Sequence, residues 1–143
     1  MTQKKGQIRI GVVVSEYNFD ITMSMLDRAV THAEFLGAEV ARVIKVPGVY
    51  DAPLAVKYLA MKKDIDGIVV LGAVIKGETD HDEVIMQHAA RKIMDISVES
   101  MKPVGLGITG PGMTRLQAED RIDNAKNAVE SVVKLLRAIQ SED

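Results

Sequence analysis

A layered α/β fold on a parallel sheet is predicted by three features of this 143-residue chain. Apolar runs suited to buried strands alternate with helix-period segments from end to end. Two of those runs, IRIGVVVS at residues 8–15 and the apolar stretch at 67–75, lack the polar alternation of a half-exposed strand, as expected where helices cover both faces. Glycine and proline punctuate the joints, at Gly37, Pro47-Gly48 and the GPGMT segment.

The first strand is predicted over residues 8–15. Asn18-Phe19-Asp20 interrupts it, and Ile21, Met25, Ala29, Ala33 and Leu36 then recur with helical spacing until Gly37 offers a stop. Residues 39–46 place Val40, Ala41, Val43, Ile44 and Val46 in a second strand, broken by Pro47-Gly48. A helix over 52–62 tolerates Pro53 in its first turn. The third strand spans 65–73, the third helix 83–98 and a short fourth strand 103–108. A terminal helix over 114–139, bent near Asp123-Asn124, completes the pattern. Four strands alternating with helices imply right-handed crossovers. The predicted architecture is a flavodoxin-like three-layer α/β/α sandwich with a four-stranded parallel sheet of order 2-1-3-4, in one domain over residues 1–143. The loops after the four strands should then meet at one edge of the sheet.

Composition narrows the function classes. A net charge of −2 provides no basic field for nucleic acid. The absence of cysteine removes disulfide scaffolds, thiol catalysis and thiolate metal sites, and fits a cytoplasmic protein. Residues 1–6 (MTQKKG) are too short and polar for a signal peptide, and the apolar run at 67–75 is too short to span a membrane. With 47% hydrophobic residues but only three tyrosines, two phenylalanines and no tryptophan, the core is predicted to be aliphatic.

The most informative segment is GAVIKGETDHDE at residues 72–83, which leads from a buried strand through a glycine-flanked loop into a helix N-terminus. Such junctions favour anions. Gly77 permits close approach of backbone N–H groups, and His81 stands where a bound ligand would lie, in the predicted first turn of the helix. Asp80 and Glu83 have capping-box spacing, with Thr79 a second candidate cap, and this reading outweighs metal binding. Lys76 and Arg115 are candidate helpers for an anion, while His32 and His88 fall mid-helix and read as structural. Tyr17, Phe19 and Tyr50 occupy the loops after the first two strands, which suggests a platform for a flat ligand. Arg121, within QAEDR, is a fork suited to phosphate, in this chain's own site or a neighbour's.

EYNFDIT (16–22), VPGVYDAP (46–53), LGAVIKGETDHDEV (71–84), GITGPGMTRLQAEDR (107–121) and Lys126 together resemble the lumazine synthase family, most closely its archaeal branch. The resemblance implies condensation of 5-amino-6-ribitylaminouracil with 3,4-dihydroxy-2-butanone 4-phosphate, giving 6,7-dimethyl-8-ribityllumazine, phosphate and water. It implies no metal and no organic cofactor. By position, Tyr17 corresponds to the aromatic stacked on the pyrimidine. Val49, Tyr50 and Asp51 correspond to residues at the ribityl chain and ring edge, and Ala73, Val74 and Ile75 to the ring pocket. Gly77, Glu78 and Thr79 match the phosphate turn and His81 the proton donor. Leu106, Arg121 and Lys126 match residues that the family places in, or near, the site of an adjacent subunit. The resemblance also implies a homo-oligomer: pentamers with sites between neighbours, in many members closed into a 60-subunit icosahedral shell.

Three positions depart from the commoner bacterial pattern. Tyr17 and Leu106 each replace a phenylalanine, and Glu78 puts a carboxylate in the phosphate turn, so backbone N–H groups must hold the anion there. Competing readings are an archaeal-type riboflavin synthase, a receiver-like signalling domain and a shell-forming relative without catalysis. The GETDH turn and Arg121 argue against the first, and Val74-Ile75-Lys76 in place of a phosphoacceptor aspartate argues against the second.

Overall fold

The elements run in the order β1 (Arg9–Ser15), α1 (Phe19–Phe35), β2 (Glu39–Val46), a 3₁₀ turn (Val49–Asp51), α2 (Ala52–Ala60), β3 (Gly67–Ile75), α3 (Asp82–Ser100), β4 (Val104–Met113), α4 (Arg115–Asp120) and α5 (Asn124–Gln140). This computed structural model describes residues 7–77 and 81–142. The strands form one parallel sheet in the order β2-β1-β3-β4, in agreement with the sequence reading.

Helices α1 and α5 cover one face, where Met25, Ala29, Val129 and Val133 pack on Val12, Val14 and Leu71. Helices α2 and α3 cover the other, where Val56, Leu59, Ile93 and Ile96 pack on Val13, Ile68 and Val70. The alternation of side chains along each strand sends successive residues into these two cores, which explains why β1 and β3 are apolar at nearly every position. At the sheet edge, β2 is mostly part-exposed, as its mixed polar and apolar sequence requires.

Several element ends differ from those predicted. Helix α1 begins at Phe19 because Asn18 adopts a left-handed conformation, with φ 62° and ψ 49°, that asparagine tolerates better than most residues. Its side chain donates from Nδ2 to the Ala73 carbonyl at 3.0 Å, tying the start of the helix to the end of β3. At the far end Gly37, at φ +80°, turns the chain out of the helix, and the Ala38 N–H donates to the Ala33 carbonyl at 2.8 Å.

The predicted loop after residue 108 is instead a continuation of β4 through Met113. A bulge opposite Ala73 to Ile75 absorbs the irregular GPG backbone, and pairing resumes with Ile75 opposite Met113 and Lys76 N–H donating to the Met113 carbonyl at 2.7 Å. Glycine is required at position 110: its φ is +111°, and a Cβ there would lie 2.2 Å from the Val74 carbonyl oxygen. The single terminal helix is two, α4 and α5, separated by residues 121–123. Thr114 caps α4 by accepting from the Gln117 N–H at 3.2 Å, while Gln117 Oε1 accepts from the Thr114 N–H at 3.0 Å.

The end of the sheet remote from the loops is held by charge. Arg9 pairs with Glu39 at 2.8 Å and donates from Nε to the Asp64 carbonyl at 3.0 Å, while Arg42 Nε donates to the Asp64 carboxylate at 3.2 Å. The hydrogen bond from Arg42 holds the Asp64 carboxyl below its ordinary value, outweighing the opposing effect of burial. Folding therefore favours the ionised form: the contribution is complete above the ordinary carboxylate range and fades as pH falls through the lowered folded value. Asp64→Asn is expected to lower the thermal midpoint slightly at neutral pH and to leave it unchanged in acid, where both proteins carry a neutral group. A midpoint difference that persists in acid would assign the effect to packing instead.

Candidate active site

At the C-terminal edge of the sheet the β1–β3 ladder stops at the Val14–Leu71 pair, whereas β3 continues to Ile75. Beyond that point β1 no longer pairs with β3, and a cleft of about 180 Å³ opens between the strand ends, the 3₁₀ turn and the start of α3. Ala73, Val74 and Ile75 form its β3 wall, and Pro47, Gly48, Val49 and Tyr50 form the opposite one. Tyr17 enters from the segment after β1, and Asp82 and Ile85 from the first turn of α3.

The walls are apolar, and two phenol rings stand at them, Tyr17 57% exposed and Tyr50 74% exposed. An apolar slot with exposed aromatic rings suits a flat heteroaromatic molecule. Phe19, predicted to join this platform, does not line the cleft; it is the first residue of α1 and lies exposed outside it. The loops after β1, β2 and β3 contribute to the cleft, but among the described residues none from β4 or the chain after it does, so the expected convergence of four loops reduces to three.

Six residues predicted to contact the ribitylaminouracil, Tyr17, Val49, Tyr50, Ala73, Val74 and Ile75, are brought together in this cleft. Asp51 lies just beside it. Its Oδ2 accepts from the Gly48 N–H at 3.1 Å, which closes the 3₁₀ turn and fixes the β2 wall. Gly77 follows β3 with φ +90° and is exposed. Glu78, Thr79 and Asp80, and with them the predicted capping box, lie outside the described residues.

His81 is the N-cap of α3, one position earlier than the predicted first turn, with its carbonyl accepting from the Ile85 N–H at 2.9 Å. That places the residue next in sequence to Asp82, which lines the cleft, while His81 itself is not among the lining residues. Arg115 is engaged elsewhere, pairing with Asp20 on α1 and with Glu119 at 3.4 Å.

Three further predicted residues are also absent from the lining of this chain's own cleft. Leu106 sits on edge strand β4, 42% exposed, on the face covered by α2 and α3. Arg121 ends α4 and is exposed. Lys126 belongs to the first turn of α5, beside a depression shared with Arg28, His32 and Phe35.

His32 itself is structural, with Nε2 3.1 Å from Glu130 Oε1 and the ring stacked on Phe35. Two contributors were missed from sequence. Asn18 anchors the Ala73 carbonyl, for which an asparagine between strand and helix was the available signal. Ser15 lines the cleft floor, and nothing in a strand-terminal serine distinguishes it from an ordinary core position.

The family model for 6,7-dimethyl-8-ribityllumazine synthase matches residues 7–140. A protein named 6,7-dimethyl-8-ribityllumazine synthase from Picrophilus torridus is 61% identical over 134 residues, covering 94% of this chain and 98% of its own. Those of the same name from Methanothermobacter thermautotrophicus and Archaeoglobus fulgidus are 56% and 54% identical, covering 95% and 96% of this chain and 98% and 96% of theirs. On the extent of this match, across every segment that builds the cleft, the chain belongs to the 6,7-dimethyl-8-ribityllumazine synthase family.

Proposed function

We propose that this protein is a transferase of riboflavin biosynthesis, a lumazine synthase that condenses 5-amino-6-ribitylaminouracil with 3,4-dihydroxy-2-butanone 4-phosphate. The observation that carries the reading is the family match over residues 7–140 laid over an apolar, tyrosine-flanked cleft at the sheet edge. Tyr17 stacks on the pyrimidine, while Ala73, Val74 and Ile75 offer backbone groups to its edge. Val49, Tyr50 and Asp51 flank the ribityl chain. Gly77, Glu78 and Thr79 take the phosphate through backbone N–H groups, aided by Arg121 and Lys126 of a neighbouring subunit.

The chemistry needs little more than this. An aromatic amine and a ketone are reactive in themselves, so holding them together supplies much of the rate. His81 moves protons as the imine forms, phosphate leaves and the second ring closes, each step exchanging a proton between nitrogen, carbon or oxygen and the imidazole. No metal or organic cofactor enters these steps.

The protein acts as a homo-oligomer, a pentamer with sites between adjacent subunits, and the 60-subunit shell is the favoured higher assembly. Supporting this, Leu106, Arg121 and Lys126 do not line their own chain's cleft. Exposed apolar rows also run along α2 through Leu54 and Tyr58 to Met61 at its C-cap, and along α3 through Met94 and Val98 to Met101 at its C-cap. No helix among the described residues is long and apolar enough to cross a membrane, and we place the enzyme in the cytoplasm.

Incubating purified protein with both precursors is expected to produce lumazine absorbance and fluorescence with stoichiometric release of phosphate. Activity confined to preformed lumazine, yielding riboflavin, would overturn the assignment.

A further inference from the structure

Ser15 ends β1 on the floor of the cleft, in register with Val46 of β2. It is 2% exposed, and its Oγ is buried without a hydrogen-bond partner. A buried hydroxyl left unpaired loses its hydration without compensation. Gly72 packs close against it: a Cβ built at Gly72 would approach Ser15 Oγ to 3.0 Å and Val49 Cγ2 to 2.9 Å. Alanine would fill this space without the penalty, so core packing alone does not account for a serine here. Ser15 is nevertheless one of the residues that line the cleft, as is Tyr17 two residues further along.

Depth identifies what the hydroxyl meets. Tyr17 is 57% exposed at the cleft mouth and Ser15 is 2% exposed at its floor. A flat ring stacked on the first reaches towards the second with its inner edge. A uracil edge carries carbonyl oxygens and ring N–H groups, and a hydroxyl serves either, donating to one or accepting from the other. We infer that Ser15 is a substrate-binding residue whose hydroxyl hydrogen-bonds the inner polar edge of the pyrimidine ring and so sets the depth and orientation of the ring in the cleft. This rests on the lumazine synthase reading above, and adds to it a side chain that selects a polar ring edge where the remaining floor is apolar.

The test compares binding of two ligands, 6,7-dimethyl-8-ribityllumazine and 6,7-dimethyllumazine, which keeps the ring and lacks the ribityl chain. Fluorescence titration of the wild type, Ser15→Ala and Ser15→Gly is expected to show both variants binding both ligands roughly 3- to 10-fold more weakly. The thermal midpoint of Ser15→Ala should be unchanged or raised, because an unpaired buried hydroxyl has been removed. Unchanged affinities would overturn the inference, as would a loss confined to the ribityl-bearing ligand or a graded loss that tracks side-chain volume. A wild type that forms no lumazine from the two precursors would instead overturn the functional reading on which it rests.

Discussion

Replacing His81 with alanine is expected to lower turnover by roughly 10²–10⁴-fold while leaving the native mass of the assembly unchanged. The residue caps α3 through its backbone: the His81 carbonyl accepts from the Ile85 N–H at 2.9 Å. Alanine preserves that arrangement, so the helix and the cleft wall at Asp82 and Ile85 should persist. Residual activity is expected because holding the two substrates together still accelerates their reaction. Steady-state turnover alongside native mass measurement checks both halves, and unchanged turnover would remove His81 from proton transfer.

The same variant tests whether sites are shared. Co-assembly of His81→Ala subunits with Arg121→Ala subunits, each nearly inactive alone, would place an intact histidine beside an intact neighbouring arginine at roughly a quarter of the interfaces of a randomly mixed ring. Recovery of activity to about that fraction is expected. Mixtures no more active than their parents would mean that both residues serve one chain.

The second large effect is on stability. Gly105→Ala is expected to destabilise the fold by about 1–3 kcal/mol, seen as a lower denaturation midpoint with an unchanged slope. A Cβ at position 105 would lie 2.4 Å from the Ala128 carbonyl oxygen and 3.0 Å from Val132 Cγ2. The first of these is helix backbone and cannot rotate away. Helix α5 would have to lift off the sheet, and Ala125, Val129 and Val133 hold it down in the core. Gly107 approaches the same helix, with a Cβ there 3.2 Å from Ala128 Cβ, so β4 and α5 meet along a seam of small residues. An unchanged midpoint would mean that the helix has room to move, and would contradict this close approach.

That seam marks where sequence reading stops. Residues 103–108 announce a strand by position and composition, yet their glycines look like weaknesses until α5 is seen against them. The end of β4 shows the same limit: GPG punctuates the sequence as a loop, while the pairing of Ile75 with Met113 across the bulge carries the strand past it. Helix breaks follow suit. A bend near Asp123-Asn124 was legible, but a full separation into α4 and α5 was not; Asp123, in the break, pairs with Arg28 of α1 far along the chain. At the site, Tyr17, Tyr50 and the Ala73–Ile75 backbone stand where strand ends placed them, whereas Phe19, one residue past the turn, does not line the cleft.

By itself the sequence determined the element order, the parallel sheet and its 2-1-3-4 topology, because apolar periodicity and chain punctuation are local and crossover handedness leaves few alternatives. It also determined the family, through motifs whose wording is local. Only the tertiary structure decided which groups at the strand ends turn into the cleft and what occupies them. Asn18 reaches the Ala73 carbonyl 55 residues away, Asp51 is taken up by the Gly48 N–H, and Ser15 is left unpaired at the floor. Such outcomes depend on which backbone groups lack a partner once the ladders end, and that is settled by how far each strand extends beside its neighbour rather than by any residue's own preference.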